Sequence, residues 1–213
     1  MSNSKPRADR QSGRRRRMTG VLIPKTSRGE KARSKLLQAA VETFAKRGFH
    51  ATKISDIVRR AGVSQPSFYM YFASKDAIYR SLLSQAHEEL LALIKAIRLS
   101  PRLDPNKVES GTVNSLTAFL EYFSTNPDLS KIAYFQSAEA EKLKSTVVRM
   151  MARNIDAEKR SGYFRSGIDS TFLAECIHGS LERLIPKRLL TGQYTPKKLA
   201  EEVASVFIGV LAR

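Results

Sequence analysis

The chain has 213 residues, 42% of them apolar, which is enough to bury the core of one large domain or two small ones. Its apolar runs fall short of the ~18 residues that a membrane span needs, and its charged N-terminus lacks the hydrophobic stretch of a signal peptide. The single cysteine, Cys176, excludes an internal disulfide and is typical of the reducing cytoplasm, where we expect the protein to act.

The formal charge of +17 is concentrated in the first part of the chain. Residues 1–28 hold nine lysines and arginines and one acid, residues 29–80 hold ten and four, and residues 81–213 hold eighteen and fifteen. This asymmetry predicts that the basic N-terminal part of the chain binds a polyanion, either nucleic acid or an anionic membrane, and that the C-terminal part has a different function.

Residues 1–28 are polar, basic and rich in Ser, Arg, Gly and Pro, and we interpret them as a disordered basic arm. The arm contains four consecutive arginines, Arg14, Arg15, Arg16 and Arg17. Such a run can follow a phosphate backbone or enter a narrow minor groove, so we expect these side chains to bind DNA. The alternative is a solvated tail that only aids solubility.

Four helices are predicted next, from apolar residues that recur every three or four positions. The first helix is expected from Gly29 to Gly48, and the second over about 54–61 with Thr52 as its N-cap. The third is expected from its N-cap Ser64 to about Phe72, and Ser74 is expected to cap a long fourth helix. After a breakpoint near Ser100, helical patterns resume over about 105–125, 128–140, 141–160, 169–191 and 195–212. Because no segment alternates like a strand, the predicted fold class is all-α.

The second and third helices are separated by a short turn that contains Gly62, which predicts a helix-turn-helix. In that motif the second helix enters the major groove with its N-terminal residues facing the base edges. Ser64, Gln65 and Ser67 are then the polar side chains at the tip, and Gln65 is the best base reader because its amide can pair bidentately with adenine. Pro66 offers a ring that can pack on a thymine methyl.

Aromatic side chains crowd the third helix. Phe68 and Phe72 are four positions apart and are expected to face inward as core anchors. Tyr69 and Tyr71 present hydroxyls suited to phosphate oxygens, and Lys75 adds a positive charge at the start of the next helix. The alternative interpretation is an ordinary helical hairpin whose tyrosines only cover a core.

The stretch ATKISDIVRRAGVSQPSFYMYFASKDAIYRSLL, residues 51–83, resembles the TetR family of bacterial transcriptional regulators. The positions that match the family pattern are Thr52, Ile57, Ala61, Gly62, Val63, Ser64, Tyr69, Phe72 and Lys75. The resemblance covers about 29–80 and implies a helix-turn-helix DNA-binding domain there, followed by a helical effector-binding and dimerisation domain over 81–213. Lys53 departs from the pattern, because a hydroxyl is usual at that position. We expect both Thr52 and Lys53 to contact DNA, with Lys53 adding a phosphate contact.

The resemblance further implies an effector pocket and a dimer interface in the second domain. The expected pocket residues are Phe119, Tyr122, Phe123, Tyr134, Phe135, Met150 and Met151. The expected interface residues are Phe172, Cys176, Leu181, Leu184, Val203, Val206, Phe207 and Val210. A homodimer also fits the motif, because one helix-turn-helix reads only one half of a near-palindromic site. The mainly aromatic pocket residues favour a small, largely apolar effector.

We therefore expect a transcriptional regulator of the repressor type, released from its operator by that effector, with no cofactor and no membrane partner. The main alternative is a basic protein that binds nucleic acid or acidic membranes without sequence preference. An enzyme is not expected, because the three histidines lie in separate segments without metal-ligand spacing and no glycine-rich nucleotide motif is present.

Overall fold

The structure, a computed structural model, describes residues 28–211, and the part that it describes is all-α, as predicted. The α-helices are α1 (Arg28–Ala51), α2 (Ile54–Ala61), α3 (Gln65–Tyr69), α4 (Lys75–Ala96), α5 (Val108–Thr125), α6 (Pro127–Ser130), α7 (Ala140–Arg160), α8 (Ser170–Leu184) and α9 (Pro196–Leu211). A π-helical turn, Lys131–Gln136, joins α6 to α7, and a second one, Ile185–Leu189, extends α8. The predicted basic arm falls almost entirely outside the described residues, and Arg14 to Arg17 lie outside them.

The turns around α2 and α3 follow from a few local contacts. Gly48 bends α1 with a φ of 77°, in the left-handed region that favours glycine. The predicted caps at Ser64 and Ser74 are confirmed, because each side chain accepts a hydrogen bond from the first turn of its helix. The predicted cap at Thr52 is wrong: Lys53 holds the N-cap position of α2, and its backbone N–H donates to the Asp56 carboxylate at 3.2 Å. Helix α3 also ends at Tyr69, earlier than predicted.

The N-terminal core is the cluster of buried side chains at the meeting point of α1, α2, α3 and the first half of α4. Its largest members are Leu36, Phe44, Ile57, Phe68, Phe72, Ile78 and Leu82. Phe68 and Phe72 are buried there, which confirms their expected role as anchors. Because α3 has only five residues, its orientation depends on these anchors more than on its own helical hydrogen bonds.

The C-terminal core lies between the second half of α4 and helices α5, α7, α8 and α9. Its largest fully buried members are Leu90, Ile94, Leu120, Phe123, Tyr134 and Leu181. Helix α4 therefore contributes side chains to both cores, with Ile78 and Leu82 in the first and Leu90 and Ile94 in the second. The predicted domain boundary at residue 80 falls within this continuous helix.

The π-helical turn 131–136 is a second connection between the two cores. Its residues Ile132 and Ala133 pack into the N-terminal core, whereas Tyr134 packs into the C-terminal core. The buried Tyr134 hydroxyl lies 2.6 Å from Nε2 of His178 on α8. Burial lowers the pKa of His178, so its ring is neutral at neutral pH and pairs with the phenol as a neutral partner.

Candidate nucleic-acid interface and cavity

The tip of α3 is open to solvent where the sequence predicted base contacts. Gln65 and Pro66 are exposed in the first turn of the helix. Ser64 and Ser67 lie beside them, with their hydroxyls 2.8 Å apart, and Ser64 also accepts a hydrogen bond from the Ser67 N–H. Both serines therefore hold the start of α3 in shape, and Gln65 is the polar side chain left free to reach a ligand.

Met70 is a surface residue that the sequence reasoning missed. Its side chain is 78% exposed, which is unusual for a large apolar residue. Met70 keeps helical backbone angles and follows Pro66 by four positions, so the two apolar side chains share one face of α3. The signal was present in the sequence, because Met70 lies midway between the inward-facing Phe68 and Phe72 and must point away from the core.

The two predicted phosphate-binding tyrosines differ in exposure. Tyr69 is 51% exposed and rests edge-on against the Phe68 ring, with centroids 5.5 Å apart. Tyr71 is half-buried and packs against the N-terminal core. Lys53 is exposed at the start of α2. Tyr69 is the last residue of α3, Tyr71 follows the helix, and Lys53 lies at the start of the preceding helix α2.

Thr52 is not available to a ligand. Its side chain is only 1% exposed, and its hydroxyl donates to the Gly48 carbonyl at 2.7 Å. The predicted DNA contact by this side chain is therefore corrected: Thr52 instead stabilises the bend between α1 and α2.

Lys75 has an equally structural role. Its ammonium donates to the carbonyl oxygens of Phe49 at 2.7 Å, Thr52 at 2.9 Å and His50 at 3.3 Å. It also lies 4.4 Å from the centroid of the Phe49 ring. Three donors thus meet three acceptors at the corner between α1 and α2, which leaves no N–H for a phosphate. The predicted DNA contact of Lys75 is corrected to a clamp that fixes the start of α4 to this corner.

Asp56 joins the same corner from α2. Its carboxylate accepts from the Lys53 backbone and pairs with Arg47 at 3.0 Å and Arg59 at 2.8 Å. The backbone hydrogen bond and the two guanidinium groups together lower the pKa of Asp56, so the carboxylate is charged at neutral pH. Helices α1 and α2 are consequently fixed to each other at the base of the exposed α3 tip.

A cavity of about 110 Å³ lies in the second half of the molecule, between α4, α5, α7, α8 and α9. Its wall is mostly aliphatic and aromatic, with Ile94, Leu116, Phe119, Ile155, Leu181 and Phe207 among its members. Of the predicted pocket residues, Phe119 and Met151 line this cavity. The other five, Tyr122, Phe123, Tyr134, Phe135 and Met150, pack in or against the C-terminal core instead.

The reason for this correction is that the aromatic residues already have partners. The Tyr122 hydroxyl donates to the Ala86 carbonyl of α4 at 2.8 Å, and Phe123 stacks edge-on with Tyr134 at 5.0 Å. The aromatic residues from Tyr122 to Phe135 therefore build a solid core here, and the open space is bordered by aliphatic side chains together with Phe119 and Phe207.

Glu158 is an acidic residue of the cavity wall that sequence reasoning missed. It lies on α7 among the cavity-lining residues. Burial raises the pKa of this carboxyl to about 7, although a backbone hydrogen bond at Leu99 and the charge of Arg98 act in the opposite direction. Perturbed acids in clefts mark candidate binding sites.

The predicted interface residues are divided between the surface and the core. Phe172 on α8 and Val206 on α9 are 63% and 65% exposed, whereas Leu181 and Val203 are buried core members. Cys176, Leu184 and Phe207 are partly buried, and the Val210 side chain lies outside the described residues. Leu181 and Val203 are thus corrected from interface to core. No helix in the described range is long and apolar enough to cross a membrane.

Comparison with known proteins bears on both regions. A family model described as bacterial regulatory proteins, tetR family, matches residues 36–82. The chain is 37% identical over 182 residues to the HTH-type transcriptional regulator YdgC of Bacillus subtilis, which covers 85% of this chain and 93% of that protein.

Solved structures share the whole fold. A TetR-like transcriptional regulator from Rhodococcus sp. RHA1 superposes with a TM-score of 0.66 at 21% identity, over 87% of this chain and 98% of that one. A Bacillus subtilis FadR structure in complex with stearoyl-CoA superposes with a TM-score of 0.63 at 17% identity, over 83% and 97%.

The N-terminal core of α1, α2, α3 and the first half of α4, with the exposed tip of α3, defines a helix-turn-helix DNA-binding protein. The chain belongs to the TetR family of bacterial transcriptional regulators.

The structural role of Lys75 makes a prediction about stability. Replacing Lys75 with methionine removes three donors from partly buried carbonyl groups, so we expect the free energy of unfolding to fall by about 1–3 kcal/mol. Denaturant titration of the variant measures this change, and Lys35→Met, at an exposed position of α1, is the matched control with little effect. Two results together would contradict the structural role: the variant keeps normal stability, and the slope of its log affinity for DNA against log salt falls by about one phosphate contact. Lys75 would then bind phosphate, as the sequence predicted.

Glu158 makes a prediction about pH. Its folded-state pKa of about 7 is above the ordinary value of 4.5, so the folded state holds the proton more tightly than the unfolded state does. The resulting stability is present at low pH and is lost as the pH rises through 7. Between pH 5 and pH 8 the wild type should therefore lose about 2 kcal/mol relative to Glu158→Gln. Parallel pH profiles for Glu158→Gln and the wild type would refute the raised pKa.

Proposed function

We propose that this regulator is a cytoplasmic homodimeric repressor that binds a near-palindromic operator and is released by a small effector in the cavity, acting through binding alone. The observation that carries the proposal is the continuity of α4, which is clamped beside the DNA-binding motif at Lys75 and borders the cavity at Ile94. The solved FadR relative in complex with stearoyl-CoA supports a ligand-binding use of this fold.

On DNA, α3 enters the major groove with Gln65 leading. The amide of Gln65 pairs with an adenine edge, while Pro66 and Met70 offer an apolar strip that suits thymine methyl groups. Tyr69, Tyr71 and Lys53 contact phosphates on either side, which sets the position of α3 without reading sequence. Ser64 and Ser67 contribute by holding the first turn of α3 as well as through their own hydroxyls.

The arginine run 14–17 adds a second contact beyond the motif. These four positive charges, which precede the DNA-binding domain in sequence, release counterions when they neutralise phosphates, at about 0.9 units of salt slope for each contact. This contribution raises affinity for all sequences and leaves base preference to α3.

Dimerisation supplies the second recognition helix. Phe172 on α8 and Val206 on α9 leave large apolar side chains in water, a cost that a partner subunit removes. The same helices carry small residues at the partly buried Cys176 and at the exposed Gly179 and Gly209, which lets two helices pack closely between subunits.

Release of the operator requires the effector to bind the DNA-incompetent state more tightly, because equal affinity for both states shifts nothing. The effector contacts α4 near Ile94 and Ile97, at the opposite end of the helix from the Lys75 clamp. A displacement of α4 at the cavity is thereby passed to the corner between α1 and α2, and from there to α3.

Replacing Gln65 with alanine tests base reading directly. On the preferred operator, obtained by selection from random DNA, the affinity should fall by about 1–3 kcal/mol and one base pair in each half-site should lose its preference. Gln38→Ala, at another exposed glutamine on α1, is the control and should bind as the wild type does. Equal weakening on operator and shuffled DNA would favour the alternative of a basic protein without sequence preference.

Replacing Val206 with glutamate tests the dimer. A charge buried without a partner is expensive, so sedimentation should show monomers and operator affinity should collapse. Lys197→Glu introduces the same charge on the opposite side of α9, nine residues or two and a half turns away, and should stay dimeric. A dimeric Val206→Glu protein would place the interface elsewhere on the surface.

A further inference from the structure

The cavity wall carries very few polar side chains. Among its lining residues they are Thr112, Ser115, Asn154 and Glu158. Three of the four already donate to backbone carbonyls: Thr112 to Val108 at 2.9 Å, Ser115 to Ile97 at 2.6 Å and Asn154 to Ile94 at 3.2 Å. Glu158 is thus the polar lining group with the most unused capacity for a ligand, because a carboxylate can accept about four hydrogen bonds.

We propose that the effector is an amphiphilic organic cation, whose apolar body fills the cavity and whose protonated amine pairs with the Glu158 carboxylate. The inference rests on the cavity being the effector site of the proposed function, and it adds the chemical class of the ligand. A buried carboxylate is costly unless it is paired and hydrogen-bonded, and a bound ammonium group supplies both.

The surroundings of Glu158 favour a cation over an acid. The charged or titratable groups nearby are Arg98 after α4, Lys159 on α7 itself and Tyr163 after α7. Lys159 donates to the Ile168 carbonyl, and the Tyr163 hydroxyl donates to the Ser100 carbonyl at 2.9 Å. Arg98 is exposed and opposes the raised pKa of Glu158, yet burial outweighs it. A ligand carboxylate or phosphate would therefore meet an acid inside the cavity, and Arg98 offsets that repulsion only from the surface.

The position of Glu158 also connects ligand charge to α4. The backbone of Leu99, on the segment directly after α4, lies close enough to this carboxylate to favour its charged form. Asn154, one turn earlier on α7, donates to the Ile94 carbonyl within α4. An ammonium group that draws the carboxylate away from Leu99 changes what holds the C-terminal end of α4, which is the end that borders the cavity.

Three probes of equal chain length test the proposal: decylamine, 1-decanol and decanoic acid, each titrated calorimetrically into the full-length protein at pH 8. Decylamine should bind about tenfold more tightly than 1-decanol, and decanoic acid should bind most weakly. Glu158→Gln should remove the preference for the amine while 1-decanol still binds. Glu175→Gln, at an exposed position of α8, is the control for charge effects at the surface and should keep the preference.

The wild type alone gives a second measurement that does not depend on the variant folding. Because the pKa of Glu158 is about 7, its carboxylate is present in about 90% of molecules at pH 8 and in about 10% at pH 6. Decylamine affinity should fall severalfold over this range, and 1-decanol affinity should stay constant.

The outcomes distinguish failure of the proposed ligand class from failure of the proposed effector site. Equal binding of all three probes, or tighter binding of decanoic acid, would overturn the organic cation and leave the cavity as an effector site. Absence of binding by any probe would overturn both the ligand class and the effector site.

Discussion

The structure depends on how helix α4 is fixed at its two ends. At the N-terminal end the Lys75 ammonium donates to three carbonyl oxygens at the corner between α1 and α2, and at the other end Ile94 packs in the C-terminal core. A single helix therefore belongs to both cores, and it cannot tilt without disturbing one of them. The interior of a protein is close-packed, so such a helix has a few alternative positions and no continuous range of them.

The same constraint explains how a cavity can act on DNA. The π-helical turn 131–136 gives the N-terminal core a second wall, and its residue Tyr134 is hydrogen-bonded to His178 on α8. In the proposed function, a ligand that changes the position of α4 therefore moves the unit of α1, α2 and α3, and the proposed DNA contacts of α3 move with it. The differential affinity of the ligand for the two positions sets how far the equilibrium shifts.

Several local features of this fold were predictable from the sequence, although the cap of α2 and the end of α3 were not, and features made by distant residues were missed. The caps at Ser64 and Ser74 and the anchors Phe68 and Phe72 follow from spacing within one or two turns. Lys75 was assigned to DNA because its carbonyl partners, 23 to 26 positions earlier, are invisible to local patterns. The family resemblance assigned the pocket to mainly aromatic residues between 119 and 151, but packed aromatics and cavity-lining aromatics have the same composition. Glu158 was missed because an acid on a helix is ordinarily on the solvent side, and only the folded chain shows it half-buried in the cavity wall.

Hydrogen exchange with and without operator DNA tests the coupling through α4 most directly. The account predicts that operator binding slows amide exchange in residues 28–75 and also in the cavity-lining half of α4 and in α5, because one helix is packed into both cores. In the Lys75→Met protein this distant protection should be reduced while protection around α3 persists. Protection confined to residues 28–75 in the wild type would contradict the account, since the cavity and the DNA-binding motif would then respond independently.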